Sequence, residues 1–143
     1  METKGPQDPK RRRAVKKIQQ LDASVPSRRV LAASSLAGDS VKNRHGEDLG
    51  AITEIMIDIP SGRVAYAVLS FGGFLGMGNK LFALPWSMLT VDEDRKCFVV
   101  DIDKTTLENA PGFDKDQWPD MANPAWATKV HTYYGRKPYW LYS

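Results

Sequence analysis

The sequence has few of the residues from which reactive centres are usually built. Its 143 residues include one cysteine, Cys97, and two histidines, His45 and His131. A single thiol excludes an internal disulfide and a cysteine-rich zinc site, and it fits a reducing cytoplasm. Long apolar runs are missing too. The longest uncharged stretch, residues 64–79, is shorter than the roughly 20 residues of a membrane span and holds Gly72, Gly73, Gly76 and Gly78. No transmembrane helix is expected. The first residues are rich in Lys, Pro and Arg and lead into no apolar core of the kind a secretory signal needs, so no such signal is expected either. No internal repeat or low-complexity tract appears.

What the sequence does have is charge, unevenly placed. Lys and Arg number 20 against 17 Asp and Glu, a formal net charge of +3. Residues 1–30 carry nine basic and three acidic groups (+6), and residues 31–143 carry eleven and fourteen (−3). The positive excess therefore belongs to an arm, and the body is mildly acidic. Within residues 1–29, Arg11, Arg12, Arg13, Lys16 and Lys17 cluster beside Val15, Ile18 and Leu21. Pro6, Pro9 and Pro26 and the shortage of apolar groups predict a basic, disordered arm. A nascent basic amphipathic helix is the alternative.

From Val30 to Asp103 the pattern is that of short strands separated by turn chemistry, which predicts a small sheet or barrel. Residues 50–59 are rich in isoleucine, and alternation from Ile55 onward places Ile55, Ile57 and Ile59 on one face. Pro60-Ser61-Gly62 predicts a reverse turn, with residues 63–71 returning as the second strand of a hairpin. Further strands are predicted over residues 80–84, 90–91 and 97–102, with one upstream over residues 40–42.

Residues 110–143 change character, holding eight of the fourteen aromatic residues and four of the nine prolines. Asn123 followed by Pro124 is a helix-start signal and Gly135 a stop, so a helix is predicted over residues 124–134. Trp126, Val130, Tyr133 and Tyr134 would share its packed face. Thr105-x-x-Glu108 has capping-box spacing and predicts a shorter helical turn over residues 104–109. Residues 105–143 thus form an aromatic and proline-rich extension expected to pack on the barrel of residues 30–104.

Motifs that would signal chemistry fail in detail. Residues 71–80, Phe-Gly-Gly-Phe-Leu-Gly-Met-Gly-Asn-Lys, put two glycines at P-loop spacing, but Asn79 stands where lysine is needed and Leu81 where Ser or Thr would hold magnesium. The segment is better read as a tight apolar loop, with Phe74, Leu75 and Met77 closing one end of the barrel or forming a contact patch for a partner. His45 beside Glu47 and Asp48 lacks the companion imidazoles or thiolates of a metal site. Asp92-x-Asp94 and Asp101-x-Asp103 begin like calcium loops but lack the glycine at the sixth position. Cys97 lies in an apolar strand without an activating neighbour. No catalytic residue, metal or cofactor is expected.

Four runs, taken together, resemble one family. They are Gly38-Asp-Ser-Val-Lys-Asn43, Gly46-Glu-Asp-Leu-Gly50, Ile57-Asp-Ile-Pro-Ser-Gly-Arg63 and Tyr66-Ala-Val-Leu-Ser-Phe-Gly-Gly73. They resemble the PRC-barrel, the domain of the cytoplasmic part of the photosynthetic reaction-centre H subunit and of a bacterial ribosome-maturation factor. Small stand-alone bacterial proteins of this type also share Lys80-Leu-Phe-Ala-Leu-Pro-Trp86, Ala110-Pro-Gly-Phe-Asp-Lys-Asp-Gln-Trp118 and Tyr134-Gly-Arg-Lys-Pro-Tyr-Trp140. The resemblance implies a mainly β protein, a small, strongly bent PRC-type β-barrel with a short C-terminal helix and an aromatic-rich extension. It also implies a docking role with no catalytic residue to carry over.

Three functions follow as expectations. The leading one is a non-enzymatic binding or adaptor module that engages a protein partner, or a second copy of itself, through the barrel, the aromatic C-terminal segment or the apolar loop with Phe74, Leu75 and Met77. The second is association with RNA or the ribosome through Arg11, Arg12, Arg13, Lys16 and Lys17. The third is a peripheral place on a membrane-bound photosynthetic or respiratory complex. The expected location is the cytoplasm, with the membrane periphery as the alternative.

Overall fold

The structure is a computed structural model that describes residues 30–72 and 80–141. The fold described is that of the unit Leu31–Ser143. In chain order its elements are α1 (Ala33–Leu36), β1 (Ser40–Asn43), β2 (Asp48–Asp58), β3 (Arg63–Phe71), β4 (Lys80–Pro85), β5 (Leu89–Asp92), β6 (Cys97–Val100), α2 (Lys104–Glu108) and α3 (Pro124–Tyr133). Single 3₁₀ turns occupy Trp86–Met88 and Tyr139–Leu141.

The six strands form one sheet in the order β4-β3-β2-β1-β6-β5. All neighbours are antiparallel except β1 and β6, which run parallel with Val41 opposite Phe98. The inner face gathers Val41, Leu49, Ile52, Ala67, Leu69, Phe71, Phe82, Leu84, Phe98 and Val100, closed by Met88, Leu107 and Ala110. Leu107 reaches this core because α2 starts where Asp103 caps it, its carboxylate accepting from the Thr106 amide at 2.7 Å. The cap is thus Asp103 and not Thr105, which lies inside the helix. A side chain one residue before the helix satisfies the free amides just as the capping box would.

Strand β3 is buried on both faces. Its outer side, with Ala83 of β4, packs against Val130 of α3, and Met56, Phe113, Met121, Trp126, Tyr134 and Tyr139 complete this second cluster. Phe113 also exchanges two backbone hydrogen bonds with Leu81, at 2.8 and 2.9 Å, and so covers part of the outer edge of β4. An edge strand leaves amides and carbonyls unpaired, and such a cover removes some of them from competition.

Helix α3 begins as its sequence predicts: the Asn123 carboxamide accepts from the Ala125 amide at 2.9 Å and Pro124 takes the first position. It ends at Tyr133, with Tyr134 as cap and Gly135 at φ +67°, in the left-handed region. Two bonds close the end, from the Gly135 amide to Thr132 and from the Arg136 amide to His131, the Schellman arrangement. Its buried face is Ala127, Val130 and His131, flanked by Trp126 and Tyr134. Tyr133 lies outside that face, exposed, its hydroxyl donating to the Thr106 carbonyl at 2.6 Å.

Strand β2 departs further from the expected pattern. Ile55 packs on the inner core, but Ile57 and Ile59 are exposed. The register of β2 on β3 shifts twice, between Ile52 and Glu54 and between Met56 and Ile57. The first shift makes Thr53 the extra residue on β2 and the second makes Ala65 the extra residue on β3. Alternation does run from Ile55 to Ile57, but of the three isoleucines the inner core reaches only Ile55: Ile57 faces Val64 near the hairpin end and Ile59 lies past the strand. Gly50 shows how tightly these strands meet: at φ +134°, a Cβ there would lie 2.1 Å from the Ser70 carbonyl oxygen.

Candidate functional site

The predicted hairpin turn is the natural starting point. Its backbone closes through the Gly62 amide, which donates to the Asp58 carbonyl at 2.8 Å. The Asp58 carboxylate accepts from the Ser61 amide at 3.1 Å and from the Ser61 hydroxyl at 2.5 Å. Its other oxygen accepts from the Tyr139 hydroxyl at 3.0 Å, 81 residues along the chain. Arg63 answers from the returning strand, its Nη1 donating to the Tyr139 carbonyl at 2.7 Å. The hairpin turn and the C-terminal 3₁₀ turn are therefore fastened together at one end of the molecule.

The donors explain the acid–base behaviour. The Ser61 hydroxyl, above all, holds the Asp58 carboxyl below its ordinary value against the opposing effect of burial, with the Tyr139 hydroxyl and the Ser61 amide adding to it. Burial raises the Tyr139 hydroxyl, and its bond to Asp58 raises it further. Tyr66, 1% exposed, is raised most strongly by burial, and its hydroxyl has no hydrogen-bond partner.

At this end, exposed apolar groups gather around the latch. Ile57 is 51% exposed, Ile59 83%, Trp140 44% and Leu141 65%, half of the large exposed apolar side chains among the described residues. Arg136 and Lys137, both exposed, precede the 3₁₀ turn, separated from it by Pro138. Beneath it His131 is buried, its Nδ1 2.7 Å from the Ala127 carbonyl, with the rings of Tyr66, Tyr139 and Trp140 within 6 Å centroid to centroid. His131 is thus a core residue of the aromatic cluster.

The remaining polar positions serve the backbone. Asn43 is buried and holds the turn that carries His45: its Oδ1 accepts from the His45 and Glu47 amides, and its Nδ2 donates to Glu47 at 2.6 Å. Asp92 accepts from the Arg95 amide at 3.1 Å, and Thr106 lowers the Asp103 carboxyl through hydroxyl and amide donors. Among the described residues no three His, Cys, Asp or Glu side chains gather as a metal cluster would require. A shallow groove beside β5 is lined by Leu31, Leu36 and Val91 with Asp39, Glu93 and Lys96.

Residues 28–107, which span the six-stranded sheet, match the family model described as PRC-barrel domain. The chain belongs to the PRC-barrel family. No curated protein matches it. Among solved structures it is similar to a putative 16S ribosomal RNA processing protein, RimM, from Pseudomonas aeruginosa, with 20% identity and a TM-score of 0.38. The alignment covers 58% of this chain and 48% of that one, so the chain spans about half the length of that protein.

The sequence-predicted contact residues of this PRC barrel all lie outside the described residues. Phe74, Leu75 and Met77 lie outside the described residues, between the paired ends Phe71 and Lys80 of β3 and β4. Arg11, Arg12, Arg13, Lys16 and Lys17 also lie outside them. The apolar end at Ile57, Ile59, Trp140 and Leu141 was not anticipated. The one signal for it was an isoleucine directly before the turn proline, Ile59-Pro60, where solvent normally selects a polar residue. No helix among the described residues is long and apolar enough to cross a membrane.

Proposed function

We propose that this PRC barrel is a non-enzymatic binding module whose partner is a protein or a second copy of itself. Membership of a family built around a bent barrel supports a binding role in general, although a fold alone hosts many functions. The observation that carries the reading is the use made of polar side chains. Asn43, Asp58, Asp92, Asp103, Asn123 and His131 are each engaged with backbone or turn partners that shape loops and helix ends. What is left for recognition is surface shape and apolar contact.

Phe74, Leu75 and Met77 are the proposed protein contact. They join β3 to β4 at the end of β3 opposite the Asp58–Arg63 turn, and β3 spans about 26 Å at about 3.3 Å per residue. Light scattering on the purified chain and affinity capture from its native host test this. Replacing the three residues with serine is expected to abolish a self-association or a capture that the unchanged chain shows reproducibly. A strictly monomeric chain that captures nothing rejects it.

A second reading is supported by the arm's nine basic groups against three acidic ones. On that reading the arm contacts RNA phosphates, and binding disappears on deletion of residues 1–29.

A further inference from the structure

We infer that the end of the barrel formed by the Asp58–Arg63 turn and the Tyr139–Leu141 turn rests on a bilayer containing anionic phospholipid. The apolar groups there are not scattered. The bonds from Tyr139 to Asp58 and from Arg63 to Tyr139 hold Ile57 and Ile59 on one side and Trp140 and Leu141 on the other. Ile59 and Pro60 stand at the tip of a hairpin and Leu141 on a terminal turn, so the surface is a pair of projecting points and not a groove. Projecting aliphatic groups beside a half-exposed tryptophan suit a deformable interface with an apolar interior, where the indole settles at headgroup level.

Charge selects the lipid. Residues 31–143 carry −3 overall, yet within the two segments that meet here, residues 58–63 and 136–141, Arg63, Arg136 and Lys137 stand against Asp58. The Asp58 carboxylate is already supplied with donors by Ser61 and Tyr139. The local sign is thus positive on an acidic body, which orients this end toward a negative surface and the remainder away from it. The contact is separate from the loop at Phe74, Leu75 and Met77 and leaves that loop available to a protein.

The test uses the full chain with vesicles of phosphatidylcholine alone and of phosphatidylcholine with phosphatidylserine, read by co-sedimentation and tryptophan fluorescence. Because the arm also carries positive charge, one variant replaces Arg11, Arg12 and Arg13 with alanine, a second carries Ile59→Asp and Leu141→Asp, and a third Arg136→Glu and Lys137→Glu. The unchanged chain is expected to bind the phosphatidylserine vesicles with a blue-shifted emission. The second variant should lose at least about tenfold in partitioning, since it removes two buried aliphatic contacts, and the third should lose a comparable amount. The arm variant should keep the blue shift and stay sensitive to Ile59→Asp with Leu141→Asp. Circular dichroism establishes that each variant is folded, and the third alters only exposed charges if the second is not. Unchanged vesicle binding by the folded second or third variant overturns the inference. So does complete loss of binding in the arm variant. A dimer that Ile59→Asp dissociates, with no vesicle binding by the unchanged chain, also overturns it and gives this end to a second copy.

Discussion

Tyr66 and Tyr139 sit with their ring centroids 6.0 Å apart in one aromatic cluster, and their hydroxyls have opposite fates. The Tyr139 hydroxyl donates to Asp58, and that of Tyr66 is buried without a partner. A buried hydroxyl that makes no bond costs its desolvation, so Tyr66→Phe is expected to leave stability unchanged or raise it slightly in urea denaturation. Tyr139→Phe removes one of the donors that lower the Asp58 carboxyl. Carboxyl titration by NMR should therefore show the Asp58 value rising toward its ordinary range in that variant. The sign of the pH dependence follows from the lowered value. The folded form binds its proton less tightly than the unfolded chain, so the latch contributes fully above about pH 4, the unfolded value. That contribution fades as pH falls through the folded value. Tyr139→Phe should narrow the interval over which acid loosens the latch, and chemical shifts of Ile59 and Trp140 followed against pH would record it.

At the scale of elements, what was legible in the sequence is what short-range chemistry controls. Helix α3 depends on Asn123, Pro124 and Gly135, each acting within a few residues of itself, and the structure places all three as their chemistry requires. Asn123→Ala should cost about 1 kcal/mol, seen as a lower urea midpoint with unchanged slope. The turn at Pro60-Ser61-Gly62 was legible for the same reason. The side-chain assignments of β2 were not, because alternation gives the face but not how far the core extends: Ile55 meets it, whereas Ile57 at the hairpin end and Ile59 beyond the strand overrun it. Tyr133 was misplaced as well: at 3.6 residues per turn, His131 and Tyr134 continue the stripe of Ala127 and Val130, and Tyr133 lies beyond it. A histidine is seldom expected at a buried position, yet His131 fits there because its ring meets a backbone carbonyl and three aromatic rings.

For the whole molecule, distance along the chain separates what could be read from what could not. The latch joins residues 81 and 76 positions apart, and no local pattern announces such a meeting. Charge, by contrast, is a property of composition, and its division into a +6 segment and a −3 body needs no fold. That division makes the RNA reading quantitative. If Arg11, Arg12, Arg13, Lys16 and Lys17 each neutralise one phosphate of a single strand, the logarithm of the binding constant should fall with the logarithm of salt at a slope of about −3.5. Filter binding of a single-stranded RNA across a salt series measures it. Replacing the three arginines with alanine should reduce the slope to about −1.4, because two contacts remain. The body carries no comparable excess: with fourteen acidic groups against eleven basic ones, the chain without residues 1–29 should bind RNA far more weakly at low salt, where attraction by an arm would be strongest. A salt slope that survives removal of the arm would move the polyanion contact onto the barrel, against the sign of its net charge, and would reject the arm as its source.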